Sequence, residues 1–149
     1  MRRVSLVGIF IVAMVMTGIQ SCNKNETKIS QANGHSHNAG RNCMGCHNSG
    51  GEGDGWFTVA GTAYNAVDSG IFSNAVVKLY TGRPGVGTPV ATIYGDGSGN
   101  FYTTAAIDFS VGLTPVITGS TGTNYMHTTL TTGACNSCHG VTPTKIIAN

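Results

Sequence analysis

Residues 91–103, "ATIYGDGSGNFYT", hold two short β-branched and aromatic runs on either side of a cluster of Gly, Asp, Ser and Asn. Such runs bounded by turn formers read as strands, because branched and aromatic side chains suit a pleated surface while Gly and Asp accept turn dihedrals. The composition of "GDGSGN" predicts a hairpin turn leading from 91–94 into 101–107. Upstream, "AVVKLY" at 75–80 alternates Val76, Lys78 and Tyr80 against Val77 and Leu79, the period-two pattern of a half-buried strand. "PVATIY" at 89–94 follows the Gly/Pro turn "TGRPGVGT", "WFTVAGTAY" at 56–64 is a further β-rich run, and "LTPVIT" at 113–118 completes the set. Pro115 lacks an amide N–H and is expected at an edge or a strand start. No segment has the periodicity of an amphipathic helix, so only short helical turns are expected beside the flanking motifs. The class is therefore mainly β, with an all-β sandwich over residues 56–118.

On each side of this region stands the same five-residue spelling: "CMGCH" at Cys43 to His47 and "CNSCH" at Cys135 to His139. Three chemistries use paired C-x-x-C. Four thiolates hold structural zinc; dithiols or disulfides form in oxidising compartments; and C-x-x-C-H attaches haem c. The histidine at the same offset in both copies separates them, since neither a tetrathiolate zinc site nor a disulfide has a use for it. Haem c uses all three side chains, two thiols as thioethers to the vinyl groups and the imidazole as proximal iron ligand. The expected cofactors are two covalently bound haem c groups, on Cys43, Cys46 and His47 and on Cys135, Cys138 and His139. The segments carrying them are 35–55 and 119–149.

The remaining histidines, His35, His37 and His127, all precede a motif by a few residues. A second axial ligand is the rule in electron-transfer haems, so these are the candidates for the distal faces. At the first site His37 is favoured, with His35 as substitute, because Gly40 lets the chain turn tightly after residue 37. At the second, Met126 and His127 are neighbours that face opposite sides of an extended chain, so only one reaches the iron. Met126 would give a His/Met site of higher potential than bis-His; its plain alternative is a packing methionine.

The first residues, "MRRVSLVGIFIVAMVMTGIQSC", give a positive start (Arg2, Arg3), an apolar run and a small residue before Cys22, the layout of an export signal over 1–21. The run is short for a membrane span. With the leader removed, 6 basic residues face 6 acidic ones, where the full chain has Lys+Arg 8. A near-neutral chain with no basic stripe has no electrostatic footprint for nucleic acid. Only 9% of the residues are charged and 22 are Gly, against about 25% charged in an ordinary soluble protein. That balance is common among exported β proteins.

Three resemblances add to this reading. "IQSC" after the apolar run resembles a bacterial lipoprotein signal, with Ile19 where Leu is commoner. It implies a lipid on Cys22, a flexible tether over 22–34 and, with Asn23 following, sorting to the outer membrane. "VAGTAYN" at 59–65, "SNAVVKLY" at 73–80 and "ATIYGDGSGNFYT" resemble the carboxypeptidase-regulatory-like or transthyretin-like family. That implies a Greek-key β-sandwich flanked by the two short haem segments, and no catalytic group. Residues 35–140 resemble di-haem cytochromes c of environmental bacteria, on His37 to Gly40, Cys43 to His47, Met126 and Gly133 to Gly140. This likeness implies multihaem electron transfer outside the cytoplasm and tips the second distal ligand toward Met126.

The expected function is thus a membrane-anchored electron carrier, passing single electrons between redox proteins, other multihaem cytochromes among them. Two other classes compete. A di-haem peroxidase-like enzyme needs an open iron and acid–base groups, yet Glu26, Glu52, Asp54, Asp68, Asp96 and Asp108 fall where tether, turn and loop chemistry explains them. An adhesive or ligand-binding sandwich would carry the haems as accessories. An odd number of strands between the motifs would send them to opposite ends; an even number would bring them together.

Overall fold

The computed structural model describes residues 27–140 and 144–149. The expected signal peptide and Cys22 lie outside the described residues, as does the tether up to residue 26. Among the described residues no helix is long and apolar enough to cross a membrane.

The chain is mainly β and forms two sheets, each 4-stranded. The strands are β1 (Val59–Asn65), β2 (Val76–Tyr80), β3 (Ala91–Tyr94), β4 (Asn100–Thr103), β5 (Thr114–Thr118), β6 (Thr123–Tyr125), β7 (Gly133–Ala134) and β8 (Ile146–Ala148). The helical content is a 3₁₀ turn, Cys43–Gly45, and one short helix, α1 (Asn136–His139). One sheet has the order β3-β2-β5-β6, antiparallel throughout. In the other, β1 pairs antiparallel with β4 on one side. On its other side β1 pairs parallel with β7 at its start and with β8 at its end. Between β7 and β8 the chain leaves the sheet, and the second C-x-x-C-H motif is that excursion.

Val59, Ala63, Phe101 and Ala148 from one sheet meet Val77, Leu79, Ile93 and Ile117 from the other in a single core. The alternation of β2 holds from Val76 to Leu79, with Val77 and Leu79 facing inward and Val76 and Lys78 half-buried, but Tyr80, expected on the outer face, is buried at 6% exposure. β1 does not alternate, because both its faces are covered. Val59 and Ala63 join the core. On the opposite face the Thr62 hydroxyl accepts from the Gly40 amide at 2.8 Å, and Tyr64 lies under the first motif segment.

The expected hairpin at "GDGSGN" is a correction. The turn forms, with the Gly99 amide donating to Asp96 O at 3.0 Å and the Asp96 amide to Asn100 O at 2.8 Å. Its two arms, however, enter different sheets, β3 beside β2 and β4 beside β1. The Gly95 amide donates to Ala75 O, not to the outgoing strand. Gly99 has φ +73, and a Cβ there would press on Ile71, so the crossover needs glycine. β4 also ends at Thr103, short of Ile107. Pro115 is the second residue of β5, near the strand start where its missing N–H does least harm.

Residues expected to be tether pack here. The Ser30 amide donates to Tyr102 O at 2.9 Å and Ile29 bridges Thr103, so this segment lines the outer edge of β4. Covering an edge strand in this way also removes a site for unwanted pairing.

Candidate functional site

The two C-x-x-C-H motifs fold the same way. In the first, the His47 amide donates to Cys43 O at 2.9 Å; in the second, the His139 amide donates to Cys135 O at 3.0 Å. One helical turn thus carries two thiols and an imidazole on each motif. The imidazoles are also oriented alike. Nδ1 of His47 lies 3.2 Å from Asp54 O and 3.3 Å from Gly55 O. Nδ1 of His139 lies 2.7 Å from Thr144 O. A carbonyl only accepts, so Nδ1 carries the proton in both rings and Nε2 keeps a free lone pair for a metal.

The first motif opens on a cleft of about 960 Å³ lined by His35, His37, Cys43, Cys46, His47 and Tyr102, among others. The rings of His37 and His47 are neighbours in this cleft, with centroids 6.0 Å apart and planes inclined by 37°. Behind His47 the Phe57 ring stacks at 4.0 Å and 6°, and Tyr102 stacks on Phe57 at 4.6 Å. That stack fixes the imidazole plane. His35 also lines the cleft, but its ring lies against Gly97.

The second cleft, about 360 Å³, reaches toward the core and is lined by Met126, Leu79, Phe101, Leu130, Cys135 and His139, among others. Both volumes fall in the usual range for cofactor sites, about 300–1,000 Å³. Met126 therefore shares a cleft with His139. His127 points elsewhere: it is exposed and meets the Tyr125 ring edge-on at 5.1 Å. Both residues follow the end of β6 at Tyr125, and only Met126 turns into the cleft.

The motifs lie side by side. Asn136, inside the second, donates to Arg41 O at 2.9 Å, and Gly140 lines the first cleft. Lys145, from the second cleft, holds its ammonium 4.3 Å from the centre of the Tyr64 ring of the first. The strands between Phe57 and Thr132 are β1 to β6, an even number. The sixth, Thr123–Tyr125, hides in the Gly/Thr-rich stretch "GSTGTNYMHTTLTTG", which reads as loop by composition.

Among the described residues Cys43, Cys46, Cys135 and Cys138 are free thiols, and no three His, Cys, Asp or Glu converge to hold a metal ion unaided. Zinc held by these four thiolates thus lacks its geometry. A group bringing its own equatorial ligands needs only an axial pair. Burial pushes the Cys135 thiol up to about 12 and raises Cys43 as well, while Cys46 and Cys138 are exposed. Alkylation of haem-free protein at pH 8 is therefore expected to reach Cys46 and Cys138 first and Cys135 last. A raised thiol pKa favours the folded state below the ordinary thiol value of 9.0, and that benefit is lost as the pH climbs toward about 12. Peptide mapping of labelled protein checks the order.

Four polar residues that composition does not single out also belong here. Asp96, Asn100, Thr62 and Asn136 are each at most 4% exposed. Asp96 sits in a turn, as its neighbours suggest, but its carboxylate accepts from Ser36 N at 2.9 Å and so anchors the chain between His35 and His37. At the mouth of the first cleft Lys28 pairs with Asp54 and holds that carboxyl below its ordinary range.

In comparisons with known proteins, no family model, no curated protein and no solved structure matches the chain.

Proposed function

We propose that the chain is an exported di-haem cytochrome c, built as a Greek-key β-sandwich between two C-x-x-C-H segments, that relays single electrons between redox proteins. The presence of His37 beside His47, with ring centroids 6.0 Å apart in one cofactor-sized cleft, carries this reading. In both motifs a backbone carbonyl holds the histidine Nδ1, which supports it independently. Bound haem would supply a one-electron iron couple. Cys43 and Cys46, and Cys135 and Cys138, serve as thioether anchors. His47 and His139 are the proximal ligands, with His37 and Met126 on the distal faces.

The two environments differ in kind. The first cleft has Lys28, His35 and Asp54 in its lining, whereas the second has Leu79, Phe101 and Leu130. A His/Met pair holds a higher potential than a bis-His pair, so the two sites divide into a low- and a high-potential member. The adjacent motifs favour transfer inside one molecule. Cys22 anchors the protein by lipid to the outer membrane, which lets it meet other multihaem cytochromes there.

Mass spectrometry of the mature protein tests the reading. Two haem additions and a lipid on Cys22 are expected. One haem is lost in the Cys43→Ala/Cys46→Ala variant and the other in Cys135→Ala/Cys138→Ala. An unmodified mass, or a zinc adduct in its place, sinks the proposal. A resting spectrum with a high-spin, ligand-exchangeable haem moves the reading to a peroxidase-like enzyme. Partner capture that survives loss of both motifs moves it to adhesion.

A further inference from the structure

We propose that Asn136, Thr62, Asn100 and Ser36 form a positioning relay, through which the second attachment motif sets the distal side of the first site. The inference rests on the two-haem reading above. Its starting point is the segment from His35 to Arg41, which belongs to no helix or strand. Nothing regular therefore holds His37 beside His47. Side chains from elsewhere do so instead.

The relay begins inside "CNSCH". Asn136 Nδ2 donates to Arg41 O and to Thr62 Oγ1, both at 2.9 Å. Its Oδ1 accepts from the Thr62 amide at 3.0 Å. That amide lies where β1 loses its neighbour, between the residues paired with β7 and those paired with β8. Asn136 thus replaces a strand for one residue. The Thr62 hydroxyl accepts from the Gly40 amide at 2.8 Å and donates to Asn100 Oδ1 at 2.6 Å. Asn100 Nδ2 donates to Ser36 Oγ at 2.9 Å and to His37 O at 3.2 Å. Ser36 Oγ donates to the Asp96 carboxylate at 2.5 Å.

The Thr62 hydroxyl accepts twice, from Asn136 and Gly40, and donates once, to Asn100; the Ser36 hydroxyl accepts from Asn100 and donates to Asp96. The donors run in one direction and end on Asp96, which only accepts. A buried series aligned in this way is strengthened by mutual polarisation and has a single arrangement. It grips the distal segment at Ser36, His37, Gly40 and Arg41. No buried polar side-chain atom among the described residues is left without a partner, so removing one member leaves its neighbours unsatisfied and frees the segment.

The test uses two-haem protein bearing Ser36→Ala, Asn136→Ala or both, with cyanide as the probe of distal-ligand release in the oxidised state. Each single change is expected to speed cyanide binding at the first site about tenfold, the effect of losing one buried hydrogen bond. The double variant should fall well short of the product of the singles, since both changes cut one relay. Near-infrared magnetic circular dichroism tells the sites apart by their His/His and His/Met bands. Thr62→Val should act like Ser36→Ala, whereas Thr62→Ser, which keeps the hydroxyl, should restore the native rate. Multiplying effects, or an Asn136→Ala change confined to the second site, overturns the relay. A chain that carries no haem overturns the relay and the two-haem reading together.

Discussion

In the proposed di-haem protein, replacing His37 by Ala is expected to leave both haems attached and to open the first iron to added ligands, whereas His35→Ala should leave it closed. The two histidines are two residues apart and both line the first cleft, but it is the His37 ring that neighbours His47, with centroids 6.0 Å apart. The His35 ring lies against Gly97. Loss of an axial ligand exceeds the 10- to 100-fold effects typical of residues that merely support a ligand, so cyanide affinity at the first site rises by more than about 100-fold. Added imidazole restores the low-spin spectrum of His37→Ala, because it fills the space the side chain left. The second site gives the matching contrast: Met126→Ala opens it and His127→Ala does not, since only Met126 shares the cleft with His139. Absorption spectra with cyanide titration check all four variants. A site opened by His35→Ala or His127→Ala in place of its neighbour reverses the ligand assignment.

What made the fold legible in the sequence was short-range pattern. From Val76 to Leu79 β2 alternates because one face meets the core and the other does not, and the sequence records that directly, whereas Tyr80 is buried on the outer face, where the pattern predicts exposure. "GDGSGN" announces a turn, and a turn forms there, but composition cannot say whether the outgoing strand stays in its sheet. That depends on Gly95 bonding to Ala75 and on β4 finding β1, both distant in the chain. β6, β7 and β8 are two or three residues each, too short for any period to register. The candidate site divides in the same way. Both C-x-x-C-H motifs are local and therefore visible. The relay from Asn136 to Asp96 joins residues that each look like ordinary turn or motif filler, and their role exists only once the chain has closed on itself. Asn136 shows this most clearly, since it is a variable position of a motif read for its cysteines and histidine.

Phe101→Ala should cost about 3–5 kcal/mol, the usual effect of truncating a fully buried aromatic. Phe101 is 2% exposed and heads the fully buried side chains by volume. Gly61 faces it across the β1–β4 pair, and a Cβ there would press on the Phe101 ring and come within 2.9 Å of Cys135 Cβ. The ring is thus wedged between the sandwich core and the second attachment motif, with no side chain at Gly61 to collapse into the space it leaves. A site that relaxes poorly lies at the upper end of the range. Val67→Ala, at a position 94% exposed, should stay within about 0.5 kcal/mol and serves as the control. Denaturant unfolding at equal haem content measures both, since the covalent group makes comparison across different loadings invalid. Because Phe101 also lines the second cleft but not the first, the spectral change at midpoint-destabilised but folded conditions should appear at the second haem alone. A loss below about 1 kcal/mol, or equal changes at both haems, would mean that the ring is not the wall between core and cofactor that its contacts describe.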